Sequence, residues 1–327
     1  MTGLVAETYS ATDREAWDAF VRDSRNGTFL FERDYVEYHA NRFTDASRVI
    51  RDDKRRLVAL LPASIKNEVV TSHGGLTYGG LVCDASMTMP GMLHAFEALL
   101  ANLKASGAKK FVYRPVPVPY HRSPAQEDLV AMFLLDARLT RRSALAISDQ
   151  QARLPFQERR RRGVKRATAA GVTVREHEDL VGYWELLTNV LRETHGSAPV
   201  HTLDEITKLR ARFPANVRLF GAFQNEVLIA GVLIYETHQV ARSQYIAAGP
   251  LGKDVAALDL VFHVLLNEVF ASKRYFDFGT SERDGARRLQ TGLLEQKEGF
   301  GARVVPQDQY EIDLEAWRPG ALLESLA

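Results

Sequence analysis

The order of strand and helix signals runs through this chain twice, and that repetition restricts its fold more than any single motif. The first half opens on an alternating stretch, LVAETYS at 4–10. A Thr-capped helical stretch at 12–24 follows, with Ala16, Phe20 and Val21 at helical spacing. A charged turn separates SRVIRDD from RLVALLPASIK, which reads as a hairpin. A Gly-rich run, SHGGLTYGGL at 72–81, precedes an amphipathic helix at 91–107 closed by Gly107, and then the strand KKFVYRPVPVPY. In the second half, a helix at 183–196 ends at Gly196, and a helix at 202–214 has Thr202 and Glu205 spaced as a capping box. Three strands follow (NVRLFGAFQ, EVLIAGVLIYETH, VARSQYIAAG), then a Gly-bearing loop and a long apolar-faced helix at 254–273. The strand RYFDFGTS, a helix at 287–301 and a strand at 302–314 complete the order. Elements so arranged predict two similar α/β domains, each a mixed, mostly antiparallel sheet flanked by helices. The polar stretch SDQQARLP sets the expected boundary between 1–150 and 151–327, with a basic helix at 156–170 opening the second domain.

Charge and cysteine usage narrow the function classes. With 42 basic against 41 acidic residues the net charge is +1, so no global field draws this chain to DNA and any anion site must be local. Cys83, the single cysteine, excludes an intramolecular disulfide and a multi-cysteine metal site, and reads as a small packed hydrophobe. No signal-peptide pattern and no apolar run of membrane-spanning length is present. The expectation is a cytoplasmic protein without membrane insertion or a metal.

The order of elements, with NGTFLFERDYVEYHANRFTD, SHGGLTYGGL, RRRRGVKRATAAGVTVRE, PVHTLDEI, YIAAGPLGKDVAALDL and YFDFGTSERDGARRLQTGLLEQKEGFGA in that succession, resembles the FemAB/FemX-like acyltransferases of the GNAT superfamily. The resemblance implies tandem GNAT-like domains, the first binding the acceptor and the second catalytic. It implies transfer of an acetyl or aminoacyl group to an amine of a small molecule such as an amino sugar or a cell-envelope polysaccharide precursor. The donor would be acetyl-CoA or another acyl-CoA, or an aminoacyl-tRNA as in Fem-type enzymes. A non-catalytic ligand-binding module of the same fold is the rival reading. One departure stands out. The loop AAGPLGKDVAALD at 247–259 keeps Gly249 and Gly252 but lacks the full glycine pattern with which CoA-dependent relatives grip pyrophosphate.

Within that frame several constellations could carry chemistry. RRRRGVKR gathers Arg159 to Arg162, Lys165 and Arg166 into about two helical turns, with Arg159, Arg162 and Arg166 on one face. Such a face either grips donor phosphates or is simply solvated. Asp277 sits on an apolar strand between Phe276 and Phe278. It is either a desolvated general base or a loop tie, with Glu282 acting through water as the alternative base and Ser281 at the same rim. Lys297 falls on an inward stripe, where it could stabilise an oxyanion, bind an acceptor phosphate, or pair with Asp277 or Glu298; Gln290 lies on the same side. Tyr245 precedes the glycine loop and could face the acyl carbonyl or the leaving group. His195 and His201 lack a third metal ligand and are substrate contacts or helix-end residues. In the first half, Tyr35, Tyr38, His39 and Arg42 share a helix, and His73 and Tyr78 either face an acceptor cleft or brace a turn.

Overall fold

The computed structural model describes residues 3–72, 74–282 and 288–326. The chain divides into two compact units, residues 1–142 with 306–327, and residues 143–305. The expected boundary after residue 150 thus stands beside one at Arg142/Ser143, and the C-terminal residues from Pro306 onward belong with the first unit.

In the first unit, β1 (Val5–Thr8), β3 (Arg48–Arg51), β4 (Leu57–Leu61) and β7 (Val82–Cys83) form one sheet in the order β1-β3-β4-β7. A second set runs β2 (Thr44–Asp45), β5 (Ser64–Lys66), β6 (Val69–Thr71), β8 (Lys110–Tyr113) and β15 (Arg303–Asp313), the last pairing with β8 through Tyr310 to Asp313. The predicted hairpin forms as β3 and β4, antiparallel from Arg48↔Leu61. Helix α1 spans Arg14–Asp23, and α3 spans Met89–Ala105. The Thr88 side chain caps α3 by accepting the Gly91 N–H at 3.2 Å. Met92, Leu93, Phe96, Leu99, Leu100 and Leu103 lie on its core face, all within 2% of full burial. Helix α4 spans Glu127–Leu134. The expected helix carrying Tyr35, Tyr38 and His39 is only the single turn α2 (Arg33–Val36) followed by tight turns, because aromatic packing and not helical periodicity fixes this segment.

In the second unit β9 (Arg138–Asp149) supplies its later residues to a sheet ordered β10-β11-β12-β13-β14-β9. The other strands are β10 (Thr173–Glu176), β11 (Val217–Gln224), β12 (Val227–Glu236), β13 (Val240–Ala248) and β14 (Tyr275–Thr280). Asn225 and Glu226, at φ +50° and +62°, make the tight turn that joins β11 to β12. Helices α5 (Glu158–Ala169), α6 (Leu180–His195), α7 (Leu203–Arg212), α8 (Pro250–Asp254), α9 (Ala257–Val264) and α10 (Thr291–Glu298) flank the sheet. The capping box of α7 is present: Thr202 Oγ1 accepts the Glu205 N–H, and Glu205 accepts the Thr202 N–H.

Strand alternation assigns the helices to faces. A Cβ at Gly231 would lie 2.9 Å from the Tyr183 ring of α6, whereas Ala230, Val232 and Ile234 pack in a core with Val261, Phe262 and Leu265. Odd and even residues of β12 point to opposite faces, so α6 covers one face and α9 the other. The long helix expected at 254–273 is broken. Ala256 takes a left-handed conformation (φ +58°) between α8 and α9, and the helix ends in a π turn over Leu265–Val269. The cost of αL for a residue with a Cβ is accepted here where the chain lines a cavity.

Candidate active site

The central feature is an incomplete strand pair. β13 and β14 run parallel but pair only at Val240↔Tyr275, Ala241↔Phe276 and Arg242↔Asp277. Beyond these residues β13 continues to Ala248 and β14 to Thr280 without pairing to each other, so the strands part and leave open backbone edges between them. Two irregularities help. The register of β13 against β12 slips between Tyr245 and Ser243, leaving Gln244 as an extra residue that strengthens the local twist. On β14, Gly279 sits at φ +75° and the pairing with β9 shifts between Asp277 and Thr280. Strand N–H groups alternate in direction, so some of those on residues 243–248 face the split and are available to a ligand carbonyl.

A cavity of about 340 Å³ opens on the α9 face, at the end of β13. Its wall includes Arg159, Arg160 and Arg166 of α5, Ala248, Gly252, Lys253, Ala256 and Asp259, with Gly292 and Gln296 from α10. Helix α5 lies close on α9 because Gly163 has no Cβ; one there would stand 1.7 Å from Asp259 Oδ2. Buried Arg160 then donates to Asp259 at 2.6 Å. Burial pushes the Asp259 carboxyl up against the pull of Arg160. That leaves Arg159, Arg166 and Lys253 as the exposed cations of the cavity. Arg162 and Lys165 are exposed elsewhere on α5, Arg162 at 3.9 Å from Glu158. The two glycines act on packing. Gly249 gives its N–H to Ile229 O at 3.0 Å, and a Cβ on Gly252 would meet the same oxygen at 2.3 Å. They let α8 rest on β12, so any phosphate here meets side-chain cations more than a glycine cradle.

Around the split the polar side chains are firmly held. Asp277 is fully buried, its Oδ2 accepting from Arg242 at 2.5 Å and its Oδ1 from the Gly279 N–H at 2.6 Å. Lys297 is 4% exposed and donates to the carbonyls of Gly279 (3.1 Å) and Thr280 (2.7 Å). Burial lowers its pKa to about 8 against the pull of Asp277, with Arg242 adding to the drop. Ser281 is fully buried, and among the described residues its Oγ has no hydrogen-bond partner. Glu282 accepts from the Ala144 N–H at 2.6 Å and Ser143 Oγ at 3.0 Å, and Gln290 gives its N–H to Ser281 O. On the α6 face, the Tyr245 hydroxyl lies 2.6 Å from His201 Nδ1 and accepts the His201 N–H at 3.2 Å, with its ring edge-on to Trp184 at 5.2 Å.

No family model matches the sequence, and no curated protein does. Solved structures do. FemX is 14% identical, with a TM-score of 0.66 over 94% of this chain and 96% of that one. L-PGS from Bacillus licheniformis is 11% identical, with a TM-score of 0.60 over 98% and 96%. A tandem GNAT protein from the clavulanic acid biosynthesis pathway is 11% identical, with a TM-score of 0.52 over 96% and 100%. The fold is the FemX-type tandem GNAT fold. The mixed α/β architecture expected from the order of elements is the one observed.

The expected residues of the first half, where described, lie in the first unit. Tyr35, His39 and Tyr78 are buried to within 2% in the first unit. Tyr35 packs edge-on to Phe29 and Tyr38, and His39 stacks on Tyr38 at 4.2 Å. The Tyr78 hydroxyl donates to Thr28 at 3.3 Å. Gly75 abuts the His39 ring, and a Cβ at Gly79 would lie 1.9 Å from Ser72 O, so these glycines of the opening run permit close packing. His73 and the side chain of His195 lie outside the described residues. Cys83 is buried, its thiol pushed up to about 11. Among the described residues no helix is long and apolar enough to cross a membrane, and no cluster of three acidic, His or Cys side chains is placed to hold a metal. Sequence reasoning missed Arg242, Lys253 and Trp184. Lys253 was visible as a cation at a helix start; Arg242 and Trp184 gained meaning only from their spatial neighbours.

Proposed function

We propose that this chain is an N-acyltransferase whose activated donor lies in the split between β13 and β14. The observation that carries this reading is the three-residue pairing of those strands with a cation-lined cavity at the mouth of the opening. Phosphates of the donor would rest on Arg159, Arg166 and Lys253, and the acyl carbonyl would accept hydrogen bonds from the open edge of β13. Lys297, protonated below its lowered pKa, would place positive charge near the developing oxyanion. The acceptor would shed one proton to solvent and attack the carbonyl carbon as the free amine. As the bond to the leaving sulfur or oxygen breaks, Tyr245 would give that atom its hydroxyl proton and recover one from the new amide nitrogen. His201 orients the hydroxyl. Asp277, with both oxygens engaged, would fix Arg242 and Gly279 and so the shape of the split.

Acyl-CoA is the donor we favour for a cavity of this size. An aminoacyl-tRNA is the second reading, favoured by the exposed Arg161, Arg162 and Lys165 that extend the basic surface of α5 beyond the cavity. A thiol-release assay with acyl-CoAs, run beside transfer from labelled aminoacyl-tRNAs to a panel of amines, separates them. Turnover of neither donor, with neither bound at low salt, overturns the enzyme reading in favour of a binding module.

A further inference from the structure

The donor cavity has two kinds of wall. Arg159, Arg166 and Lys253 set exposed cations on one part of it, while Arg160 is paired with Asp259. The rest is uncharged and mostly small: Ala248, Gly252, Ala256 and Leu258, with Gly292 and Gln296 from α10. Among the described residues that line the cavity none is aromatic, so a nucleotide base finds no ring to stack on. Gly292 and Gln296 are four residues apart and share one side of α10. A Cβ on Gly292 would meet nothing within 4 Å, so this side of the helix opens onto free space. The Gln296 side-chain amide, both donor and acceptor, has no hydrogen-bond partner among the described residues. Lys297 is the next residue round the helix. It is buried, and it donates to Gly279 O and Thr280 O at the end of β14, where that strand borders the split. Neighbouring sides of α10 thus serve the cavity and the split. A donor that joins the two passes small uncharged residues and one free amide.

Building on the acyltransferase reading, we propose that the donor is a thioester of a phosphopantetheine arm, and that Gly292 and Gln296 select that arm. Its phosphate meets Arg159, Arg166 and Lys253. Its slender uncharged chain lies along the small residues of the wall and through the space that Gly292 leaves. The Gln296 side-chain N–H donates to an amide carbonyl of the chain, and the sulfur carries the acyl carbonyl into the split. In the transfer the carbonyl carbon–sulfur bond breaks and a carbon–nitrogen bond to the amine forms. The arm leaves as a thiol with the proton given by Tyr245, which recovers one from the new amide nitrogen. Coenzyme A and a carrier protein present the same arm. An aminoacyl-tRNA instead places a ribose and an adenine beside its ester, and this wall gives the base nothing to stack on.

The test is calorimetric binding to the full-length protein of coenzyme A, free phosphopantetheine, and the adenosine bisphosphate that forms the other end of coenzyme A. Gln296→Ala should weaken the two arm-bearing ligands by the same factor, about threefold to tenfold as for one hydrogen bond, and leave the bisphosphate unchanged. Gly292→Leu should weaken both arm-bearing ligands by about tenfold or more, because its side chain fills the space the arm needs. Its unfolding midpoint should not fall, since the Cβ enters open space and leucine favours a helix. Arg166→Ala should weaken all three ligands. A bisphosphate that binds too weakly to measure supports the arm as the source of affinity. No binding of either arm-bearing ligand, a Gln296→Ala variant that weakens the bisphosphate as much as the arm, or a Gly292→Leu variant with unchanged affinities would overturn the proposal. Turnover of acetyl-CoA beside that of an acetylated carrier protein tells which source serves, and either supports the arm. Transfer from aminoacyl-tRNA with neither thioester consumed refutes the arm and keeps the acyltransferase reading. Arm binding that follows these variants, with no transfer from any donor, refutes the acyltransferase reading alone.

Discussion

Lys297→Met tests whether the lysine is as deeply buried as its surroundings imply. The ammonium is enclosed between the Gly279 and Thr280 carbonyls with Arg242 nearby, and its pKa falls from 10.5 to about 8. At 1.36 kcal/mol per pH unit this corresponds to roughly 3 kcal/mol of stability withheld while the side chain is charged. The direction is fixed by proton counting. Between about pH 8 and 10.5 the unfolded chain holds a proton that the folded chain has released, so stability rises with pH across that window. Below pH 8 both states are protonated and the penalty is present in full. Methionine keeps the bulk but cannot donate, so its variant carries a pH-independent loss of about 1–3 kcal/mol for each carbonyl left unsatisfied. Urea unfolding at intervals from pH 7 to pH 10.5 should therefore give curves for the two proteins that diverge with pH, wild type gaining on the variant. Other groups, such as Cys83 with its raised thiol pKa, titrate in both proteins and cancel in the difference. Parallel curves through the whole window would refute the argument. The same titration should appear in catalysis, with transfer declining above about pH 8 as Lys297 loses its charge.

Four further outcomes follow from the geometry. Arg166→Ala and Lys253→Ala should each raise the donor KM about fivefold to tenfold with little change in kcat, and added salt should shrink the difference. Tyr245→Phe should lower kcat by roughly a hundredfold and destabilise by about 1–3 kcal/mol, because buried His201 loses the hydroxyl that its N–H and Nδ1 meet; an unaltered kcat removes Tyr245 from the mechanism. Gly252→Ala should destabilise by about 1–3 kcal/mol and weaken donor binding, because the new methyl meets Ile229 O at 2.3 Å. Gly292→Ala on α10 meets open space and should be neutral or stabilising in the same unfolding assay.

Much of the second unit was legible because its signals are local. Strand alternation in β11 to β13, the Asn225 turn, the Thr202–Glu205 box and the Gly196 stop each act within a few residues. The basic helix was equally visible, as was the inward position of Lys297. The interruption of the long helix at Ala256 was not, since an alanine carries no sign of a left-handed turn. Nor could spacing show that Asp277 would meet Arg242 from a strand 35 residues earlier, or that two loop glycines would spend themselves on Ile229 O.

The sequence by itself determined which segments could be helix or strand, the near-neutral balance that leaves any anion site to local clusters of basic residues, and the order of elements that the FemX-type fold shares. Those properties rest on periodicity, capping and composition, which the chain carries whatever its partners. Tertiary structure alone decided the split between β13 and β14, the side-chain cations that face its mouth, and the uncharged wall that α10 gives the donor cavity. Each depends on where strands stop pairing and on contacts between residues far apart in the chain, and neither is written in any local pattern.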